Sequence, residues 1–281
     1  GTLQAWLAFG GLAQSLDEPA LAERIAGEAV RRFPDEPRVA LLRASQLRKA
    51  GNKEEARKVL GGLADSTLLI PALRLPVAAE YDALGDPAMA AATLADGPQD
   101  NQTYGLRASL LAKAEDHGSL DLLYGELRED ASNPDPERRL LLGQIAQFLK
   151  RPQEALEWYR GVPGGEQRTE ARLRIANVLF ELGKKDEAFA RVRELQGDAS
   201  ADDDARRAAY LLEAELEQKN EDDAGELDVL ARGLAAYPDD NALLYARGLA
   251  WERRDRIDRA EADLRKILVT DPENVAALNA L

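Results

Sequence analysis

The sequence contains no cysteine, and its 281 residues include a single histidine, His117. The absence of cysteine excludes disulfide bonds, thiolate metal sites and cysteine nucleophiles. A lone histidine acts as a general base only where a second group orients it, and we expect His117 to be a solvated loop residue. The sequence also lacks a metalloprotease motif, a glycine-rich phosphate loop and the glycine and spacing of a calcium loop. We therefore predict a protein that is not an enzyme and binds no cofactor or metal.

Long apolar runs and positive charge are also scarce. The most apolar stretch, residues 68–79, is interrupted by Pro71, Arg74 and Pro76, and the pattern predicts no signal peptide within these 281 residues. Aspartate and glutamate number 51 against 37 lysines and arginines, which gives a net charge of −14. Because an acidic surface repels phosphate backbones and anionic lipids, we expect neither nucleic acid nor a lipid surface as the partner.

Aromatic residues make up only 5% of the chain, whereas 45% of it is hydrophobic, so the core must be built mainly from Leu, Ala, Val and Ile. What the sequence has instead is a period of about 34 residues, marked by glycine, alanine and proline at intervals of 12. The first unit contains Trp6, Gly10, Ala22 and Pro34, and the last complete unit contains Gly248, Trp251, Ala260 and Pro272. A period of this size indicates a repeat array.

Nine unit starts follow from this period, and the ninth unit is partial. They fall near residues 3, 37, 71, 104, 136, 169, 207, 241 and 275. A unit of this length accommodates two antiparallel helices, A and B, joined by a tight turn. The sequence therefore predicts an all-α solenoid of about eight helix pairs, forming a single domain over residues 1–281. We expect this chain to be a fragment of a longer protein.

Small residues at unit positions 8 and 20 are predicted to lie where helix A meets helix B most closely, since a larger side chain would overpack the crossing. The other members of this signature are Ala56, Ala90, Gly143, Ala155 and Ala188. Pro19, Pro87 and Pro152 are predicted to open B helices. Pro76 falls inside the expected helix A of unit 3 and predicts either a kink or a later start of that helix. Units 4 and 7 are the least regular, because neither has a small residue at position 20.

The spacing of Trp6, Gly10, Ala22 and Pro34, repeated along nearly the whole chain, resembles that of tetratricopeptide repeats (TPRs). The resemblance implies a right-handed superhelix whose A helices line a concave groove that binds proteins or peptides. Residues 271–281, DPENVAALNAL, more narrowly resemble a segment of TPR outer-membrane lipoproteins of pseudomonads. That resemblance implies an adaptor that binds a periplasmic carboxyl-terminal processing protease and presents cell-wall hydrolases to it. The lipid anchor and the outer-membrane location would then depend on a cysteine upstream of this fragment.

In this family, positions 2, 5, 9 and 12 of helix A face the groove. Position 5 is mostly apolar and predicts either a peptide-binding stripe or packing between repeats, of which we favour packing. Its residues are Leu7, Leu41, Leu75, Ala108, Leu140, Leu173, Leu211 and Tyr245. A carboxylate clamp is not expected, because Leu173 stands where such a clamp needs a cation. Polar residues at positions 9 and 12 and nearby aromatic anchors give these groove candidates: Arg48, Gln144, Gln147, Phe148, Asn177, Phe180 and Tyr245.

Two alternatives to the protease adaptor remain open. The chain could be a TPR assembly scaffold for exopolysaccharide secretion or pilus biogenesis, or it could belong to an enzyme whose catalytic domain lies outside this fragment. The final half helix pair would expose Leu278 and Leu281. We therefore expect that either the natural protein continues beyond both ends or the ends pair in a homo-oligomer.

Overall fold

The computed structural model describes residues 1–64, 70–129 and 135–281. All regular structure in these ranges is helical, and the chain divides into two compact units, residues 1–131 and 132–281. The predicted all-α architecture of successive helix pairs is confirmed. Continuity of the array from one unit to the other stays a prediction. Within the described ranges, no helix has the length and apolar character that a membrane crossing requires.

The described part of the first unit, residues 1–64 and 70–129, contains four helix pairs, in which odd-numbered helices are A and even-numbered helices are B. They are α1 (Leu3–Ser15), α2 (Pro19–Arg32), α3 (Pro37–Lys49), α4 (Lys53–Gly61), α5 (Arg74–Ala83), α6 (Pro87–Ala95), α7 (Asn101–Lys113) and α8 (His117–Glu129). A short 3-10 turn, Pro71–Leu73, precedes α5. Each A helix packs on its own B helix, and α2 and α6 also pack on the A helix that follows them.

The second unit has four further pairs and one short last helix. They are α9 (Pro136–Phe148), α10 (Pro152–Arg160), α11 (Glu166–Glu181), α12 (Lys185–Gly197), α13 (Asp203–Lys219), α14 (Asp223–Ala236), α15 (Asn241–Glu252), α16 (Ile257–Thr270) and α17 (Val275–Ala280). Neighbouring A helices also touch directly, as α11 and α13 do. This direct contact places the side chains of two successive A helices on one surface.

Local sequence signals set many of the helix starts. Pro19, Pro87 and Pro152 each lie in the first turn of a B helix, as predicted. A first-turn proline loses no intrahelical hydrogen bond, because the first amides of a helix have no partner there. Asp202 caps α13, where its Oδ1 accepts a hydrogen bond of 2.7 Å from the amide of Ala205. These caps and prolines fix the starts of the helices that carry them.

Pro76 and His117 have structural positions that the repeat period alone does not give. Helix α5 begins at Arg74, which places Pro76 in the first turn and confirms the later start that we predicted as one alternative. A proline in the first turn loses no intrahelical hydrogen bond, because the first amides of a helix have no partner there. The expectation of a loop for His117 is wrong, because His117 is the exposed first residue of α8.

The alanines at position 20 are all buried, and the glycines at position 8 lie against a side chain of another helix. The buried alanines are Ala22, Ala56, Ala90, Ala155, Ala188 and Ala260. Gly143 faces Tyr159 and Gly248 faces Leu264, so both lie against the B helix of their own pair. At Gly10 the expectation is wrong, because this glycine faces Leu42 of the next A helix. The close approach at Gly10 is therefore between repeats rather than within one.

The irregular units fill position 20 in other ways. In the fourth unit, Leu123 occupies position 20 and is almost fully buried, so a large side chain lies where the other units have alanine. In the seventh, Glu226 occupies this position and is 4% exposed. Its carboxylate accepts hydrogen bonds from Arg253 and Arg254, which belong to the following helix pair. An ion pair therefore replaces small-residue packing in the seventh unit.

Candidate protein-binding groove

An open cavity of about 370 Å³ lies between α11 and α13, the A helices of two successive pairs. The lining residues are Glu170, Leu173, Arg174 and Asn177 of α11, and Ala208, Leu211, Leu212 and Glu215 of α13. They occupy unit positions 2, 5, 6 and 9 on both helices. Residues at this spacing share one face of a helix, so two like faces meet here to form one surface. We call this surface the α11–α13 groove.

The apolar part of the α11–α13 groove consists of three half-buried leucines, Leu173, Leu211 and Leu212. Position 5 does not have the same environment in every unit. Ala108 and Leu140 are buried, whereas Leu75 is 53% exposed. The apolar stripe read from the sequence is therefore divided between packing and accessible surface, and Leu173 and Leu211 lie on accessible surface.

Every charged side chain lining the groove already has a partner of opposite charge. Arg174 pairs with Glu170 at 2.8 Å, and Gln144 donates a further hydrogen bond of 3.2 Å to the same carboxylate. Glu215 pairs with Lys219 at 2.7 Å. The groove thus offers no uncompensated cation to a C-terminal carboxylate, and its lining has more carboxylates than guanidinium groups.

Asn177 lies in the lining of the groove with its amide carbonyl unsatisfied. The Oδ1 atom is buried and accepts no hydrogen bond from any residue that the structure describes. A buried acceptor without a donor costs about 1–3 kcal/mol. Because this atom is buried, it is not itself a contact point for a ligand.

The other polar candidates use their hydrogen-bonding groups within the protein. Arg48 binds Glu80 of the next A helix through two hydrogen bonds, of 2.6 and 3.4 Å. Gln147 accepts a hydrogen bond from the hydroxyl of Tyr159 and donates one of 3.5 Å to Glu181. These side chains join adjacent helices, so a ligand would have to displace an internal partner to bind them.

The aromatic candidates do not line the α11–α13 groove. The ring of Phe180 meets that of Phe189 edge to face at 6.2 Å, and the ammonium of Lys185 lies 5.5 Å from its centre. Tyr245 is half-buried against the core of the last helix pairs. Phe148 is 41% exposed at the end of α9. Of the seven groove candidates chosen from the sequence, Asn177 is the one that lines this cavity. Other lining residues, chiefly Leu212, Ala208 and Glu170, were not chosen as sites.

Comparison with known proteins supports the repeat class. No protein-family model matches the chain. The sequence is 35% identical over 140 residues to a TPR repeat-containing protein of Pseudomonas aeruginosa. The match covers 50% of this chain and 23% of that relative, so the chain spans about a quarter of the relative's length. The match thus extends the similarity to a TPR repeat-containing protein over half of this chain.

Three solved structures are similar at low sequence identity. The APC/C hetero-tetramer Cut9–Hcn1 has a TM-score of 0.42 at 16% identity, covering 94% of this chain and 52% of that chain. The TPR domain of P58(IPK) has a TM-score of 0.33 at 16% identity, covering 99% and 96%. MamA has a TM-score of 0.40 at 17% identity, covering 57% and 94%.

Proposed function

We propose that this chain is a non-enzymatic protein-binding scaffold and that the α11–α13 groove docks a segment of its partner. The observation that supports this most strongly is the cavity itself, where the same positions of two successive A helices form one accessible surface. Its leucines provide apolar area, and its paired charges surround them. Grooves of this kind bind an amphipathic helix or an extended peptide through a few apolar anchors.

The lining of the groove specifies the chemistry of the docked segment. Leu173, Leu211 and Leu212 favour apolar side chains in the docked segment. The excess of carboxylates in the lining, on a chain of net charge −14, favours basic flanking residues over acidic ones. The proposed occupant is therefore an apolar segment with basic flanks.

The partner that we propose is a periplasmic carboxyl-terminal processing protease, to which the chain presents cell-wall hydrolase substrates. The observation that motivates this proposal is the resemblance of residues 271–281 to a segment of TPR outer-membrane lipoproteins. Such an adaptor acts by raising the local concentration of substrate near protease. A lipid anchor in the longer protein would hold both at the outer membrane.

Affinity purification of the full-length protein from envelope extracts tests this function. The wild type is expected to recover the protease, and a Leu173→Glu, Leu211→Glu double variant is expected to lose it. Val269→Glu is the control, because Val269 is 80% exposed on α16. Thermal melts of all three proteins separate lost binding from lost folding. Recovery of cytosolic proteins without a protease contradicts the proposal, and recovery of a secretin, a synthase or an outer-membrane barrel favours the assembly scaffold instead.

A further inference from the structure

A second cavity, of about 120 Å³, lies where α10, α11 and α12 meet, and arginines dominate its lining. The lining residues are Arg160, Arg168, Arg172, Ile175, Arg191 and Glu194. Arg160 is the last residue of α10, and Arg168 and Arg172 are one turn apart on α11. Four guanidinium groups thus face one carboxylate in a chain whose net charge is −14. We call this cavity the arginine pocket.

Two of the four arginines have a carboxylate partner. Arg172 pairs with Asp198 at 2.7 Å, and Arg191 pairs with Glu194 at 3.3 Å. Ser200 orients the carboxylate of the Arg172 pair, because its amide and hydroxyl donate hydrogen bonds of 2.9 and 2.6 Å to Asp198. Among the residues that the structure describes, the charges of the remaining two arginines have no such partner.

Arg168 and Arg160 carry this excess positive charge. Arg168 donates a hydrogen bond of 2.9 Å to the carbonyl oxygen of Val162, a neutral partner that leaves its charge in place. Arg160 forms no hydrogen bond or ion pair with any residue in the described ranges. Like charges gathered around one cavity repel each other, and an anion bound between them would relieve that repulsion.

We propose that the arginine pocket binds a compact oxyanion of the phosphate class. The planar guanidinium group donates two parallel hydrogen bonds to an oxyanion, which makes arginine the residue best suited to this ligand. The volume is well above the roughly 10–15 Å³ that one water needs by the same measure, so the pocket admits a tetrahedral anion. Ile175 forms its apolar wall. The bound group is either free phosphate or the terminal phosphoryl group of a larger molecule.

The arginine pocket is separate from the α11–α13 groove. At 3.6 residues per turn, Arg168, Arg172 and Ile175 lie on one face of α11, and Leu173 and Asn177 lie on the opposite face. The pocket also includes residues of the B helices α10 and α12, whereas the groove is formed by A helices alone. Oxyanion binding is therefore independent of the proposed function, and both ligands can bind together.

Isothermal titration calorimetry of the 281-residue chain with inorganic phosphate, in 0.15 M NaCl, tests the inference. Arg160→Gln is expected to weaken phosphate binding about tenfold, because it removes a hydrogen-bonding charge. Glu194→Gln is expected to tighten binding several-fold, because it removes the one carboxylate of the lining and frees Arg191. Both side chains are exposed, so neither substitution should unfold the chain.

The matched controls are Arg31→Gln and Glu28→Gln on α2, which change the net charge by the same amounts. The Debye length at this salt concentration is about 8 Å, so distant charges should not alter phosphate affinity. A second titration with glycerol 3-phosphate distinguishes the sources, since only a pocket that accepts terminal phosphoryl groups binds this ester as tightly as phosphate. The proposal is overturned if phosphate does not bind at millimolar concentration, or if Arg160→Gln and Arg31→Gln have the same effect.

Discussion

Gly143 of α9 lies directly against the ring of Tyr159 of α10, so closely that a methyl group at position 143 would lie 2.6 Å from the ring carbon Cδ1. Tyr159 is fully buried, and its hydroxyl donates a hydrogen bond to Gln147 on the same helix as Gly143. Burial also raises the pKa of the Tyr159 hydroxyl, which keeps the group protonated as a donor. This pair of residues fixes the crossing of the fifth helix pair.

Gly143→Ala should therefore destabilise the protein, with a loss of about 1–3 kcal/mol from overpacking. Gly248→Ala is the matched control at the same repeat position, where the new methyl group would lie 3.4 Å from Leu264, an ordinary contact. There alanine should gain up to about 1 kcal/mol from its higher helix propensity. Chemical denaturation of the two variants measures the difference, and equal effects would show that the Tyr159 contact does not set the crossing.

A second prediction concerns the most regular helix pair, α15 and α16, whose crossing contains Ala260. Ala260 is 5% exposed, whereas Ala262 on the same helix is exposed. Ala260→Leu should lower the free energy of unfolding by about 1–3 kcal/mol, because the added atoms have no space at the crossing. Ala262→Leu should leave stability nearly unchanged. If the melting temperature of Ala260→Leu equals that of the wild type, the register of this repeat is wrong.

Glu213 is the centre of a buried polar junction in the second unit. Its carboxylate is fully buried and accepts hydrogen bonds from Arg193 and Gln196 at 2.6 Å each and from Arg232 at 3.3 Å. Removing one partner of a buried ion pair typically costs about 3–5 kcal/mol. We expect Glu213→Ala to fall at the lower end of this range, because both arginines are partly exposed and water can solvate them. Glu215→Ala is the control, because Glu215 is exposed and lies two residues away on the same helix. Equal melting temperatures for the two variants would contradict this role of Glu213.

Glu217 makes stability depend on pH. Burial, together with the nearby carboxylates of Asp222 and Glu213, raises the pKa of Glu217 above its ordinary value of 4.5. When the pKa of a group is higher in the folded state, its contribution to stability is fully present at a pH below the unfolded-state pKa. That contribution is lost as the pH rises through the folded-state pKa. Glu217→Gln should therefore raise the melting temperature relative to the wild type at pH 7, and this gain should shrink at about pH 4. A gain that is the same at both values would point to packing rather than ionisation.

Much of the helix-pair architecture could be predicted from the sequence, because small residues and prolines act locally. The buried alanines at position 20 and the prolines that open B helices depend only on steric fit and on a missing amide. Helical periodicity places positions 2, 5 and 9 on one face, and the resemblance to TPRs implied that this face lines a groove, as Leu173, Asn177 and Leu211 do between α11 and α13.

Contacts between different repeats were much harder to predict. The contact of Gly10 with Leu42 and the pairing of Glu226 with Arg254 join residues about one period apart whose side chains must first be oriented by the fold. The arginine pocket was hard to predict for the same reason, because Arg160, Arg172 and Arg191 come from three helices. For the pairing of Glu226, the sequence did contain a signal. A glutamate stands at a repeat position that is small in most other units, and two consecutive arginines, Arg253 and Arg254, follow in the next unit.

Site-specific photo-crosslinking of the full-length protein in cells tests most directly whether a partner binds the α11–α13 groove. A benzophenone side chain is introduced at Leu211, which lies in the groove, or at Val269, which is 80% exposed on α16. Our account predicts that the partner recovered with the wild type crosslinks at position 211 and not at position 269. Crosslinking at position 269 alone, while the partner still co-purifies, would contradict it.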